Sequence, residues 1–184
     1  MLNFISSPGA GKTTILEKSI PILQHSLRIA VIEGDAYTSK DAERLQASDL
    51  PVIQINTEGS CHLDSSSITS ALGELDLEVL DLILVENVGN LICPTGFDLG
   101  EDERIAVLST TEGEDKPAKY PMLFRQAAAV ILNKIDLIPY VGYDKQAFLK
   151  DLRDLNPDAS FFETAATKGE GIDDWVNWVL DLCG

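Results

Sequence analysis

The stretch Ser6-Ser7-Pro8-Gly9-Ala10-Gly11-Lys12-Thr13-Thr14 constrains this chain more than any other. A short apolar run, Leu2 to Ile5, precedes it, and a helical pattern from Thr13 to about Gln24 follows. Strand, glycine loop and helix in that order are the setting a phosphate-binding P-loop requires. Gly9 and Gly11 let backbone N–H groups turn inward around phosphate oxygens, where a side chain would block the approach. The first N–H groups of the helix point at the same phosphates, and its dipole favours their charge. Gly9, Ala10, Gly11, Lys12, Thr13 and Thr14 are therefore the expected phosphate contacts. Lys12 is expected to reach the β- and γ-phosphates, and the Thr13 hydroxyl to ligate Mg²⁺. The usual first glycine, five residues before Gly11, is Ser6 here, a departure from the strict motif.

At 184 residues the chain reads as a single domain, 1–184. Its 14 Lys and Arg against 30 Asp and Glu leave a net charge of −16. Such a chain repels nucleic acid and anionic membrane unless it carries a concentrated basic patch, and its cations are scattered. No apolar run approaches the ~20 residues that span a bilayer, and no secretory signal is evident. Three irregularly spaced cysteines beside a nucleotide motif argue for reduced thiols and a cytoplasmic setting.

Strand-like apolar runs recur at Leu2–Ile5, Arg28–Ile32, Val52–Ile55, Leu80–Val85, Ile105–Leu108, Ala129–Leu132 and Ser160–Phe162. Helical patterns lie between most of them, at Thr13–Gln24, Ser39–Ala47, Ser65–Leu75, Tyr120–Gln126, Lys145–Leu155 and Ile172–Leu182. This alternation predicts an α/β P-loop NTPase fold, a mostly parallel sheet of about seven strands with helices on both faces. Ligands of such sheets sit beyond the carboxyl ends of the strands, so the residues after each run matter most.

Glu33-Gly34-Asp35 follows the second run, and Asp35 is placed to approach Mg²⁺ through water or to orient a hydrolytic water; a solvated acidic turn is the alternative. Glu86-Asn87-Val88-Gly89 follows the fourth. A carboxylate ending a central strand with glycine three residues on is similar to the element that senses a γ-phosphate, Glu86 holding the Mg²⁺ shell and Gly89 meeting the phosphate. Lys12, Asp35 and Glu86 form the expected catalytic set, with Thr13, Asp35 and Glu86 around Mg²⁺. Asn133-Lys134-Ile135-Asp136 follows the sixth run. Asp136 can accept from guanine N1–H and N2–H₂, groups adenine lacks there. Lys134 can lay its stem along the base, and Asn133 can brace neighbouring loops. The final loop, Thr164 to Gly171, is expected to offer the Ala166 N–H to guanine O6. GTP or GDP is the expected nucleotide. Trp175 and Trp178 read as core, and His25 as a surface residue at a helix end.

Cys61-His62 and Cys93 carry ligands suited to Zn²⁺, Ni²⁺ or Cu. Three ligands fall short of a closed tetrahedral site. Adjacent residues on extended backbone point to opposite sides, so Cys61 and His62 meet one metal only if the chain turns there. Inert cysteines beside a surface histidine stay open on spacing alone. Asp64 reads as the N-cap of the next helix, and Cys183 as structural or incidental.

The stretches 6–13, 33–35, 54–64 (QINTEGSCHLD), 86–94 (ENVGNLICP), 97–101 (FDLGE), 111–121 (TEGEDKPAKYP) and 133–137 (NKIDL) resemble the GTPase family that assists nickel insertion into [NiFe] hydrogenase. The resemblance spans nearly the whole chain. It implies a GTP-switched homodimer, promoted by GTP and metal, whose interface holds Ni²⁺ or Zn²⁺ on Cys61, His62 and Cys93. It also implies other hydrogenase maturation proteins as partners. The sister GTPase for urease has Cys-Pro-His where this chain has Cys61-His62 directly adjacent, which disfavours that alternative; a P-loop small-molecule kinase is disfavoured by Asn133–Asp136. A metal-storage protein is disfavoured by the lack of a histidine-rich tract. Family members often carry an N-terminal nickel-binding extension, and Met1 lies only five residues before Ser6, so that store is expected to be missing here. Glu58 stands where the family often has glycine. No glutamine or arginine finger is evident, which suits a slow switch.

Overall fold

The computed structural model describes residues 1–35, 40–46 and 50–184. Seven strands form one sheet: β1 Leu2–Ser6, β2 Ile29–Asp35, β3 Val52–Asn56, β4 Leu82–Glu86, β5 Glu103–Ser109, β6 Ala129–Asn133 and β7 Ser160–Thr164. Their order is β3-β2-β4-β1-β5-β6-β7, and every ladder is parallel. The helices are α1 Lys12–Leu23, α2 Lys40–Gln46, α3 Ser65–Leu72, α4 Lys116–Lys119, α5 Pro121–Gln126, α6 Ile138–Val141, α7 Lys145–Leu155 and α8 Ile172–Cys183. Ser39 and Ala47, the expected ends of the second helix, lie outside the described residues. The sheet is covered on both faces. Ile20, Trp175 and Val179 of α1 and α8 pack on Phe4, Val31 and Leu84. Ile68 and Ala71 of α3 meet Ile32 and Val85, and Phe124 and Phe148 of α5 and α7 meet Leu108 and Val130 on the same opposite face.

Strands buried on both faces have no polar side to mark their ends, so several run further than the apolar residues suggest. β2 continues through Glu33 to Asp35, paired with β3 as far as Asn56. Glu33-Gly34-Asp35 is therefore strand, which sets aside the alternative of a solvated acidic turn. Side chains alternate along it. Glu33 and Asp35 share the α1 face with Val31, while Gly34 shares the α3 face with Ile32. Asp64 caps α3 as expected, its Oδ1 accepting the Ser67 N–H at 2.8 Å. Trp175 is buried, stacked 5.3 Å from Trp178. His25 is exposed, with Nδ1 3.1 Å from the Ile22 carbonyl at the end of α1. No helix among the described residues is long and apolar enough to cross a membrane.

Candidate nucleotide and metal sites

The loop between β1 and α1 opens a cleft of about 410 Å³. Gly11 holds φ at +102°, a left-handed conformation L side chains rarely adopt, and a Cβ there would overlap the Asn133 amide. Lys12 is buried at 7% exposure, and its Nζ donates to Ser6 Oγ at 2.8 Å. The serine that breaks the strict motif thus holds the loop's lysine in place. Burial lowers the Lys12 pKa despite the carboxylates of Glu86, Asp41, Glu33 and Asp35 around it. On the flank toward β4, Thr13 Oγ1 donates to Glu86 Oε1 at 2.7 Å. Burial also raises the Glu86 carboxyl, partly offset by Lys12 and Thr13. Its Oε2 is buried without a hydrogen-bond partner among the described residues. A hydroxyl beside a carboxylate with an unpaired buried oxygen is the donor set of a hard divalent cation, so these residues fit Mg²⁺. Asp35 and Gly89 line the same cleft.

Asn133 ties the phosphate loop to the opposite end of the site. Its Nδ2 donates to the Ala10 carbonyl at 2.9 Å, and its Oδ1 accepts from Thr164 Oγ1 at 3.0 Å and the Ala166 N–H at 3.2 Å. The bracing expected of Asn133 is present. The Ala166 N–H, expected to meet guanine O6, is the one that donates here to Asn133 Oδ1. Lys134, at φ 61°, lines the cleft, and its Nζ donates to the Gly9 carbonyl at 2.7 Å. Asp136 pairs with Lys168 at 3.0 Å. Both base-side residues are thus within reach of the loops that must enclose a nucleotide.

Sequence reasoning passed over three residues near the cleft. Arg44 and Asp41 of α2 line it. Glu33 is buried at 2% exposure opposite Glu86 in the β2–β4 register, with an Oε2 that has no partner among the described residues. Burial, then repulsion from Glu86 and Asp35, raises its carboxyl to about 8. A charge directly after an apolar run was the available signal for Glu33. Nothing local marked Arg44.

The second cluster sits on loops across the sheet from α1. Glu58 at φ 51° and Gly59 at φ 89° turn the chain, closed by the Ser60 N–H donating to the Thr57 carbonyl at 2.9 Å. The backbone just beyond this turn is bent at Cys61 and His62, which removes the objection to adjacent ligands: Cys61 Sγ lies 3.7 Å from His62 Nδ1. Cys93 arrives on a separate loop, where Asn90 Oδ1 accepts the Ile92 and Cys93 N–H groups at 2.7 and 3.0 Å. One ligand atom from each of Cys61, His62 and Cys93 lies within 4.8 Å of the others. Hydrogen bonding with Cys61 raises the Cys93 thiol. The His62 ring stacks on Phe97, centroids 3.8 Å apart.

The two sites share a floor. The Leu63 N–H, one residue past His62, donates to Asn87 Oδ1 at 3.2 Å, and the Val88 N–H donates to the same oxygen at 3.0 Å. Asn87 is buried next to Glu86, and its Nδ2 donates to Asn3 Oδ1 at 3.2 Å. The Leu63 side chain rests on Gly34, where an added Cβ would come within 2.7 Å of it.

A parallel sheet with this loop between its first strand and first helix defines the P-loop NTPase class. Residues 1–163 match the family model described as CobW/HypB/UreG, nucleotide-binding domain, and the chain belongs to that family. It is 48% identical over 179 residues to the hydrogenase maturation factor HypB of Escherichia coli K12, a match covering 97% of this chain and 62% of that protein's length. The structure is similar to that of HypB from Helicobacter pylori in complex with nickel, with a TM-score of 0.92, 38% identity, and 99% and 86% of the two chains covered. HypB from Archaeoglobus fulgidus gives a TM-score of 0.91 at 34% identity, covering 100% of this chain and 89% of that one.

Proposed function

We propose that this chain is a single-domain GTPase whose nucleotide state controls a nickel or zinc ion on Cys61, His62 and Cys93, and that it serves nickel insertion into [NiFe] hydrogenase. One observation carries the reading. Glu86 faces the phosphate cleft at the end of β4, and seven residues on, Cys93 stands in the thiol–imidazole cluster. The names of the HypB relatives support the hydrogenase role, and the soft donor set suits nickel as cargo.

In this reading, bound Mg²⁺ neutralises charge on the phosphates. Lys12 supplies a fixed positive charge, and the loop N–H groups add aligned donors where negative charge grows. Thr13 and Glu86 hold the metal end of the nucleotide, and Asp35 orients water. Asp136 reads guanine once Lys168 yields its place, and Lys134 flanks the base. Gly89 meets the γ-phosphate, so its loop moves between GDP and GTP states and carries Cys93 with it. Two copies meet through this face, which supplies the ligands that three residues lack. The protein works in the cytoplasm with other hydrogenase maturation proteins, with neither nucleic acid nor membrane as partner.

The deciding experiment measures nickel and zinc affinity with GDP and with a non-hydrolysable GTP analogue. Wild type should show different affinities in the two states, and metal should change nucleotide affinity by the same factor. Cys93→Ala should lose both the metal and the coupling while keeping nucleotide. Equal affinities in the two wild-type states would reduce the cluster to a passive site.

A further inference from the structure

We propose that Arg44 is a nucleotide-contacting cation that grips the α- and β-phosphates from the Thr14 side of the cleft. The inference rests on the nucleotide reading above. Three cations and three carboxylates line the cleft: Lys12, Lys134 and Arg44 against Asp35, Asp41 and Glu86. Lys12 Nζ is held by Ser6, and Lys134 Nζ by the Gly9 carbonyl, both within the loop itself. A polyphosphate entering a chain of net charge −16 needs positive charge on its α2 side as well, and Arg44 is placed there.

Its guanidinium is already oriented. Nε and Nη2 donate to the two Glu17 oxygens at 2.9 and 2.6 Å, and Nη1 donates to Asp41 Oδ1 at 3.0 Å. Nη2 also reaches Thr14 Oγ1 at 3.2 Å, the longest of these contacts and the one a phosphate oxygen would displace. A fork fixed by two carboxylates loses little freedom on meeting an anion.

Position along the helix start sets which phosphates it meets. The Thr13 hydroxyl faces Glu86, on the Mg²⁺ and γ-phosphate side. Thr14 is rotated by about 100° around the helix axis and meets α2 instead. P-loop N–H groups cradle the α- and β-phosphates, while the lysine reaches towards the γ-phosphate. Arg44 is therefore a clamp for GDP and GTP alike, and not a group that acts on the γ-phosphate alone.

Calorimetric titration of the full chain with GDP and a non-hydrolysable GTP analogue, alongside thermal melts, tests this. Arg44→Gln should weaken both nucleotides by the same factor, about tenfold or more for a lost charge-assisted bond. Glu17→Gln, which removes a negative charge competing for the guanidinium while Asp41 and the new amide oxygen still orient it, should leave GDP affinity at or above that of wild type. Three results would overturn the assignment: GDP binding unchanged in Arg44→Gln, weakening confined to the GTP analogue, or equal losses in both variants with matching falls in melting temperature. The last would make Arg44 a tie between α1 and α2. If Arg44→Gln does not fold, Arg44→Met, which keeps the stem and removes the charge, takes its place, with weakened GDP binding in that variant alone supporting the clamp and unchanged binding refuting it. ADP run beside GDP scores the base reading separately. Equal affinities would overturn guanine selection and leave the Arg44 comparison readable in either nucleotide.

Discussion

The phosphate cleft and the Cys61–His62–Cys93 cluster occupy opposite faces of the same strand ends, and they are built in opposite ways. The cleft is made of buried groups: Lys12, Thr13, Glu86 and Asn133 are each less than a tenth exposed. Its parts are cross-braced, β1 loop to β6 through Asn133 and helix to β4 through Thr13. The cluster stands on two loops at the surface, with Cys61 exposed and each arm closed by its own turn. A braced pocket favours tight and selective retention, because its donors need no reorganisation when the anion arrives. Ligands on surface loops favour exchange, because a small loop movement changes their spacing. That contrast fits the proposal of a retained nucleotide and an exchangeable metal.

The largest effect that should separate the two regions is that of Lys12→Ala. It should lower GTP hydrolysis by about 10²–10³-fold, as loss of a transition-state donor does. Nickel and zinc affinity of the nucleotide-free variant should equal that of wild type. Phosphate release and metal titration on one preparation would check both, and a parallel loss of metal binding would end the separation drawn above.

A smaller effect sharpens the view that the cleft is made of buried groups. Glu33 has a folded pKa of about 8, against 4.5 when unperturbed. Between those values the folded chain keeps a proton that the unfolded chain has lost. Stability of the nucleotide-free protein should therefore fall as pH rises through that window. Glu33→Gln should flatten the slope, as read from urea midpoints across the window; an unchanged slope would assign it to other groups.

The smallest effect concerns the cluster's hinge. Glu58 is held at φ 51°, where a side chain costs about 1–2 kcal/mol and glycine costs nothing comparable. Glu58→Gly should then raise stability by up to about 1 kcal/mol, less the added freedom of the unfolded chain. Chemical denaturation would measure it. A loss of stability would mean that the Glu58 side chain contributes more than its backbone strain costs.

The sequence reading located all seven strands and six helices near their observed places, because apolar runs and the Asp64 cap are local signals. It missed α4 and α6, four residues each, which are too short to display a helical period. The end of β2 was misplaced because pairing to β3, a non-local cause, carries the strand through Glu33 and Asp35. In the cleft, the nearness of Thr13 to Glu86, both expected around one Mg²⁺, and the Asn133 brace were legible from motif order. The hold of Ser6 on Lys12 did not, since it depends on a hydroxyl standing where a glycine was expected. Convergence of Cys61 and His62 depended on a bent backbone just past two consecutive left-handed residues, and Glu58 gives no hint of being one.

The contact between Leu63 and Gly34 acts as a shared gauge. The side chain at position 34 is a single hydrogen, and Leu63 fills the space beyond it. Neither residue is a proposed ligand to anything, yet together they fix how closely β2 and the loop of Cys61 and His62 approach. Replacing either should shift the spacing of both sites at once, without touching a single donor atom.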